Sequence, residues 1–286
     1  MGFQLGRLAQ LGFTLTATAA LLAPTAHAAD EFEYVAMGDS AAAGPLIPDP
    51  DPNLLCFRST VNYPRVVAEA LGAELTDVSC SGATIADFTG KQHGIVPPQY
   101  DALDDRTDLV TITVGGNDVS LVPAVVSCVN LLPEPVGSSC ADEFTAGGGD
   151  ELAARIKAFA PRFDEVLDQI QRRAPKAEIV VVGYGTYLRP GGCYPKEPLW
   201  SRDADYIQSS VDKLSAVLAQ RAAAHGARFV DLGPVSKGHD VCAPPKNKYY
   251  EGVIPTSAAA PLHPNAKGMR AFGETVAKAI QPPQNS

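Results

Sequence analysis

The sequence predicts an α/β fold: a three-layer α/β/α arrangement around a central parallel sheet of about five strands. Three observations carry that prediction. Short apolar, β-branched runs alternate with longer amphipathic runs along the chain. The strand-like runs are apolar with little alternation, as strands covered on both faces are. No stretch rich in Pro, Gly or Ser divides the chain and no internal repeat is present, so residues 29–286 read as one domain.

The elements follow in order. "FEYVAM" at 32–37 reads as a buried strand. "YPRVVAEALGA" at 63–73 reads as a short helix stopped by Gly72. "AELTDVSC" at 73–80 and the β-branched "DLVTITVG" at 108–115 read as the second and third strands. Residues 150–174 have helical apolar spacing, and Pro161 inside them predicts a kink or break. "AEIVVVGY" at 177–184 is the fourth strand. An amphipathic helix at 203–226 closes on Gly226, "ARFVDL" at 227–232 is the fifth strand, and 265–281 is a final helix. Long irregular segments interrupt this at 41–61, 84–104, 119–148 and 185–201. Loops of that length inside a domain are usually functional.

Residues 1–28 carry one charge, Arg7, then the apolar "LGFTLTATAALLA", then "AHA". This pattern predicts a secretory signal cleaved after Ala28. The alternative is an uncleaved anchor, but the apolar run is short and Thr-diluted for a span of about 20 residues. The net charge of −9 and the absence of a Lys/Arg cluster argue against nucleic acid as a partner. No later segment is long and apolar enough to span a bilayer. The chain is expected to be a monomer.

Six cysteines follow the signal: Cys56, Cys80, Cys128, Cys140, Cys193 and Cys242. An even count in an exported chain points to disulfides. Sequence does not choose among the pairings; sequential pairing (Cys56–Cys80, Cys128–Cys140, Cys193–Cys242) is the simplest. No C-x-x-C pair exists, so a metal reading is weak.

Ligands of open parallel sheets bind at the carboxyl ends of strands. Gly38-Asp39-Ser40 follows the first strand there, Ser81-Gly82 the second, and Gly115-Gly116-Asn117-Asp118 the third. "PLHPNAKG" at 261–268 precedes the last helix. A serine nucleophile needs a base. Of the histidines beyond the signal, His225 falls at a helix end, where a cation is ordinarily favoured. His93 and His239 sit in loops without a supporting motif. His263 immediately precedes a helix start. Taken singly, Ser40, Gly82 and Asn117 are ordinary turn residues; their joint order carries the argument.

That order, "GDS", a Gly after the second strand, "GGND" after the third and "HPN" near the C-terminus, resembles the SGNH (GDSL-type) hydrolase family over essentially the whole mature chain. With six cysteines and long loops, the chain looks most like the family's secreted actinobacterial lipases and esterases. The resemblance implies a flavodoxin-like fold and one catalytic domain at 29–286. It makes Ser40 the nucleophile and His263 the base. It makes Ser40 N–H, Gly82 N–H and the Asn117 side chain the donors to the oxyanion. No metal or cofactor is implied, and G-x-S-x-G, H-E-x-x-H and phosphate-loop patterns are absent.

Two departures from the family pattern stand out. Relatives often carry an Asp three residues before the histidine, where this chain has Ala260. A main-chain carbonyl is then expected to orient His263, with that of Ala260 as candidate; Asp231 or Asp240 folding in is the rival. After Ser40 come three alanines and Gly44, expected to keep the nucleophile's turn clear. Asp39 and Asp118 read as caps and local braces.

The expected activity is acyl-ester hydrolysis through an acyl-Ser40 intermediate, on acyl-ester or lipid substrates. Carbohydrate-ester deacetylation or acyl transfer at the same site is the alternative within enzymes. An exported binding module with a silent serine is the alternative outside them. The apolar residues of 119–136 are expected either to line an acyl groove or to pack as a helix on the core.

Overall fold

The computed structural model describes residues 1–3 and 31–280. The expected cleavage after Ala28 lies outside the described residues. Five strands form one sheet: β1 (Glu33–Gly38), β2 (Glu74–Asp77), β3 (Leu109–Thr113), β4 (Glu178–Val182) and β5 (Arg228–Val230). All neighbours are parallel, in the order β2-β1-β3-β4-β5. Strand order therefore reverses between β1 and β3. A crevice opens at such a switch point, and it is where doubly wound folds bind ligands.

The helices are α1 (Ser40–Ala43), α2 (Tyr63–Leu71), α3 (Leu121–Ser127), α4 (Cys140–Thr145), α5 (Glu151–Arg173), α6 (Ser201–Ala224), α7 (Gly233–Ser236) and α8 (Ala266–Ile280). Strand alternation divides the core between the two faces of the sheet. Tyr34, Ala36, Val180 and Val182 face α2 and α8, packing on Val67, Met269, Phe272 and Val276. Val35, Met37, Ile112 and Val181 face α5 and α6, packing on Phe159, Phe163, Leu167, Leu214 and Leu218. This is the expected three-layer α/β/α arrangement.

Every expected strand and long helix is present, with ends differing by a few residues, as caps and frayed turns commonly cause. Pro161 does not break its helix. The 23-residue α5 runs through it because Pro161 faces solvent, where water can satisfy the carbonyl it orphans. The buried stripe Phe159, Phe163, Leu167 and Ile170 holds both halves of α5 on the core. The long interruptions are less irregular than expected, since α1, α3, α4 and short 3-10 turns lie within them.

The three disulfides are Cys56–Cys80, Cys128–Cys140 and Cys193–Cys242. The first ties the segment after α1 to the end of β2. The second closes the stretch between α3 and α4, and the third joins the segments that follow β4 and β5. All three brace connections rather than the sheet. Among the described residues no helix is long and apolar enough to cross a membrane.

Candidate active site

Strand β1 ends in a tight approach to β3. Gly38 has φ +133, and a Cβ there would run into the Thr113 carbonyl. Only glycine lets the chain turn at this point. The Gln99 side chain then holds Gly38 from both sides, accepting its N–H (2.8 Å) and donating to its carbonyl (2.9 Å). Asp39 caps the single turn of α1 by accepting the Ala41 N–H at 2.8 Å. Ser40 is therefore the first residue of a helix rooted in the centre of the sheet.

Ser40 Oγ lies 2.7 Å from His263 Nε2, across 223 positions of sequence. The other three described histidines are elsewhere. His225 bridges Asp164 and Asp168, and His239 bonds the Asn247 carbonyl and stacks on Tyr249. His93 is in a loop at positive φ.

The partner of His263 Nδ1 is the Pro261 carbonyl, at 2.7 Å, and not the expected Ala260. The Ala260 carbonyl instead accepts the backbone N–H of His263 (3.3 Å), closing a four-residue turn. Pro261 at the second position and a positive φ at Leu262 (63°) are the marks of a type II turn. Its first carbonyl is consumed by the turn, and the next one is left to meet the ring. The bonds of Asp231 and Asp240 run elsewhere, to Gly233 N–H for the first and to Arg189 and Cys242 N–H for the second. Burial pushes the His263 pKa below its ordinary value, partly opposed by the bond to Pro261; the net direction favours the neutral ring a general base needs.

The remaining predicted residues close the rim from β2 and β3. Asn117 donates one amide hydrogen to the Ala83 carbonyl at 2.9 Å, which pins it against the Gly82 turn. Gly82 takes φ +81, a conformation glycine adopts without strain. The N–H groups of Ser40 and Gly82 donate to no partner among the described residues. A cavity of about 70 Å³ is bordered by Ser40, Asn117 and His263, with Leu121, Val122, Val125, Leu199 and Ile207 in its largely apolar wall. Gly82 is not part of that wall. Segment 119–136 thus does both things its sequence allowed: in α3, Leu121 and Ala124 are buried while Val122 and Val125 border the cavity. The alanines after Ser40 do not all serve as clearance. Ala42 and Ala43, within α1, are fully buried, and only Ala41 reaches the cavity.

Two supports were not read from the sequence. Tyr184, just past β4, donates to Asp39 Oδ2 at 2.8 Å and accepts the Gly116 N–H at 2.8 Å. The strand-end argument that finds Ser40 applies equally to this position. Behind His263, the fully buried Lys248 lies 3.9 Å from both Glu197 and Glu251. Nothing in the sequence brings these three together. Asp118 is a brace, but not the local one expected: it bonds Ile85 N–H and Arg162, from distant segments, and burial raises its pKa to about 6.

A model of the GDSL-like lipase/acylhydrolase family matches residues 36–271. Lipase 2 of Streptomyces coelicolor is 40% identical over 272 residues, covering 92% of this chain and 90% of the relative. A lipase of Streptomyces rimosus is 36% identical over 231 residues, covering 79% and 78%. Among solved structures, the extracellular lipase of Streptomyces rimosus superposes with a TM-score of 0.73 at 29% identity, covering 87% of this chain and all of that one. Phospholipase A1 of Streptomyces albidoflavus gives 0.69 at 28% identity, covering 88% and 100%. With its motifs, sheet order and three disulfides, the chain belongs to the GDSL-like lipase/acylhydrolase family.

Proposed function

We propose that the protein is an exported serine ester hydrolase, a lipase or esterase, that works through a Ser40–His263 pair. The observation that carries this is the 2.7 Å contact between Ser40 Oγ and His263 Nε2 on the wall of an apolar cavity. Ser40 Oγ attacks the ester carbonyl carbon while its proton passes to His263 Nε2. The carbonyl oxygen becomes an anion and takes hydrogen bonds from Ser40 N–H, Gly82 N–H and Asn117 Nδ2. The intermediate collapses, the C–O bond to the alcohol breaks, and His263 returns the proton to the departing oxygen. A water deprotonated by His263 then attacks the acyl-Ser40 carbonyl; the bond from that carbon to Ser40 Oγ breaks, His263 returns the proton to Oγ, and the carboxylic acid leaves. The Pro261 carbonyl holds Nδ1–H throughout. It fixes the tautomer but offers the imidazolium only a partial charge.

The apolar wall favours acyl chains over the acetyl groups of carbohydrate esters, and the relatives named lipase support the same choice. Export with cleavage after Ala28 fits the disulfides and the extracellular lipase among the neighbours. The test uses purified mature protein and a panel of chromogenic esters graded in chain length. Ser40→Ala and His263→Ala are each expected to lower kcat by three or more orders of magnitude, about what loss of a nucleophile or its base costs, with circular dichroism unchanged. Hydrolysis that survives Ser40→Ala would sink the assignment.

A further inference from the structure

Asp39 and Tyr184 are buried polar groups that the steps above do not use. Asp39 is 2% exposed and lies between Ser40 and the end of β1. Its carboxylate accepts Ala41 N–H through Oδ1 and the Tyr184 hydroxyl through Oδ2, both at 2.8 Å. The same hydroxyl accepts the N–H of Gly116, the residue before Asn117, also at 2.8 Å. The chain therefore runs N–H to O–H to carboxylate, with every donor aimed at Asp39. It joins the carboxyl ends of three adjacent strands: β3 through Gly116, β4 through Tyr184 and β1 through Asp39.

We infer that Tyr184 is a positioning residue of the hydrolytic site. It holds the Gly116-Asn117 loop at a fixed distance from the Ser40 turn, so that donors carried by two different strands converge on one oxyanion. The inference rests on the proposed roles of Ser40 and Asn117. An oxyanion hole built from separate loops works only if the loops hold their spacing before charge develops. The Asn117–Ala83 bond fixes that loop to the β2 side, and Tyr184 fixes it to the β1 side. The nearest backbone bond between these segments is Asp39 N–H to the Thr113 carbonyl (2.9 Å), and among the described residues none from the β1 side reaches Gly116 or Asn117.

The link depends on the charge of Asp39. With Asp39 ionised, every hydrogen in the chain has an acceptor. Protonated Asp39 can donate to Tyr184, but the hydroxyl then receives two donors and its own hydrogen is left over. The groups that face Asp39 are Tyr184, Asp118 from the β3 loop, Tyr63 from α2, and Tyr187; among the described residues no cation offsets its burial. Burial raises its pKa to about 7, against the bonds from Ala41 and Tyr184 that lower it. The brace is therefore fully formed only above neutral pH.

The experiment compares wild type, Tyr184→Phe, Asp39→Asn and the double variant on one soluble chromogenic ester from pH 5 to 9, with Ser40→Ala alongside. Tyr184→Phe keeps the ring in the cavity wall and removes only the hydroxyl. It is expected to lower kcat about tenfold to a hundredfold, the cost of one hydrogen bond to a charged group, with KM within about threefold. Its acid limb should lose the Asp39 contribution, because without the hydroxyl the charge of Asp39 no longer bears on the Gly116-Asn117 loop. In Asp39→Asn that limb should disappear, leaving the lower limb of His263. The double variant should be little worse than the poorer single one, because both remove the same link. A Tyr184→Phe enzyme with wild-type kcat and an unmoved acid limb overturns the inference, and so do additive losses in the double variant. If Tyr184→Phe does not fold, the Asp39→Asn profile decides: an unchanged acid limb overturns the inference and its loss upholds it. Full activity in Ser40→Ala would overturn the serine reading and this inference together. Inactive Ser40→Ala with unaffected Tyr184→Phe would overturn only the inference.

Discussion

Ser40 stands two residues past a central strand, while His263 stands in a turn that has no strand beneath it. On the serine side, backbone geometry supplies most of the order. Gly38 packs against Thr113, Gln99 grips the strand end, and α1 is capped by the residue before Ser40. On the histidine side, buried side chains do the same work. Glu251, with no exposed surface, accepts hydrogen bonds from Thr256 N–H, Thr256 Oγ1, Ser257 Oγ and Asn265 Nδ2. Its own N–H donates to the His263 carbonyl at 2.9 Å, and Asn265 caps the start of α8 through Lys267 and Gly268 N–H. Glu197 meanwhile accepts Val253 N–H, and Lys248 sits between the two carboxylates. A site fixed by strand ends is coupled to the whole sheet. A site fixed by a charge cluster can be loosened by one substitution.

The largest expected effect follows from that contrast. Glu251→Ala removes one partner from a buried ion cluster and strands several donors, which costs about 3–5 kcal/mol. Burial alone would raise the Glu251 pKa, but its four hydrogen bonds outweigh that and hold it below the ordinary range, so the cluster favours the charged form. Thermal unfolding should show a fall in midpoint of about 6–20 °C, on the basis of about 2–4 °C per kcal/mol for a chain of this size. Residual activity at low temperature should fall with it. A midpoint within two degrees of wild type would mean that the histidine side is not held as described.

Asn117→Ala attacks the serine side and should split the two readouts the other way. In its proposed role as an oxyanion donor, its removal should cost about a hundredfold to a thousandfold in kcat. The lost bond to the Ala83 carbonyl costs only about 1 kcal/mol of stability. Parallel kcat and melting measurements should therefore place this variant low in rate and near wild type in midpoint. A variant equally low in both would erase the distinction between the two sides.

The same contrast explains what the sequence made legible. Gly38, Asp39 and Ser40 are contiguous, and so are Gly115 to Asp118, because a strand and the turn that follows it are local. Residue type and spacing announce them. Tyr184 obeys the same logic and stands at a strand end, but a lone tyrosine there carries no motif. Glu197, Lys248, Glu251 and Asn265 are scattered over 69 positions, and only the fold brings them together. The identity of the carbonyl facing His263 turned on one backbone torsion. Leu262 adopts positive φ, which a non-glycine residue adopts only when its surroundings impose it, and so the ring meets Pro261 rather than Ala260.

The smallest expected effects test whether a carbonyl is enough. Asp240→Asn keeps the Oδ1 that accepts Cys242 N–H at 2.8 Å and loses only the charge opposite Arg189, whose side chain is 44% exposed. Asp240 itself is buried, and the Arg189 head remains in contact with water when the charge is lost. Asp231→Asn likewise keeps an oxygen for Gly233 N–H. Neither carboxylate is bonded to His263, whose Nδ1 is already occupied by Pro261, so both variants should hydrolyse esters within a few-fold of wild type. Carboxylate-dependent triads behave differently, because neutralising their acid lets the imidazole take the wrong tautomer, at about 10⁴ in kcat. Here the carbonyl has no proton to gain and accepts Nδ1–H at any pH. A loss of three or more orders of magnitude in either variant would show that an aspartate reaches His263 during turnover, and the histidine side would then need a second arrangement of the turn at 260–263.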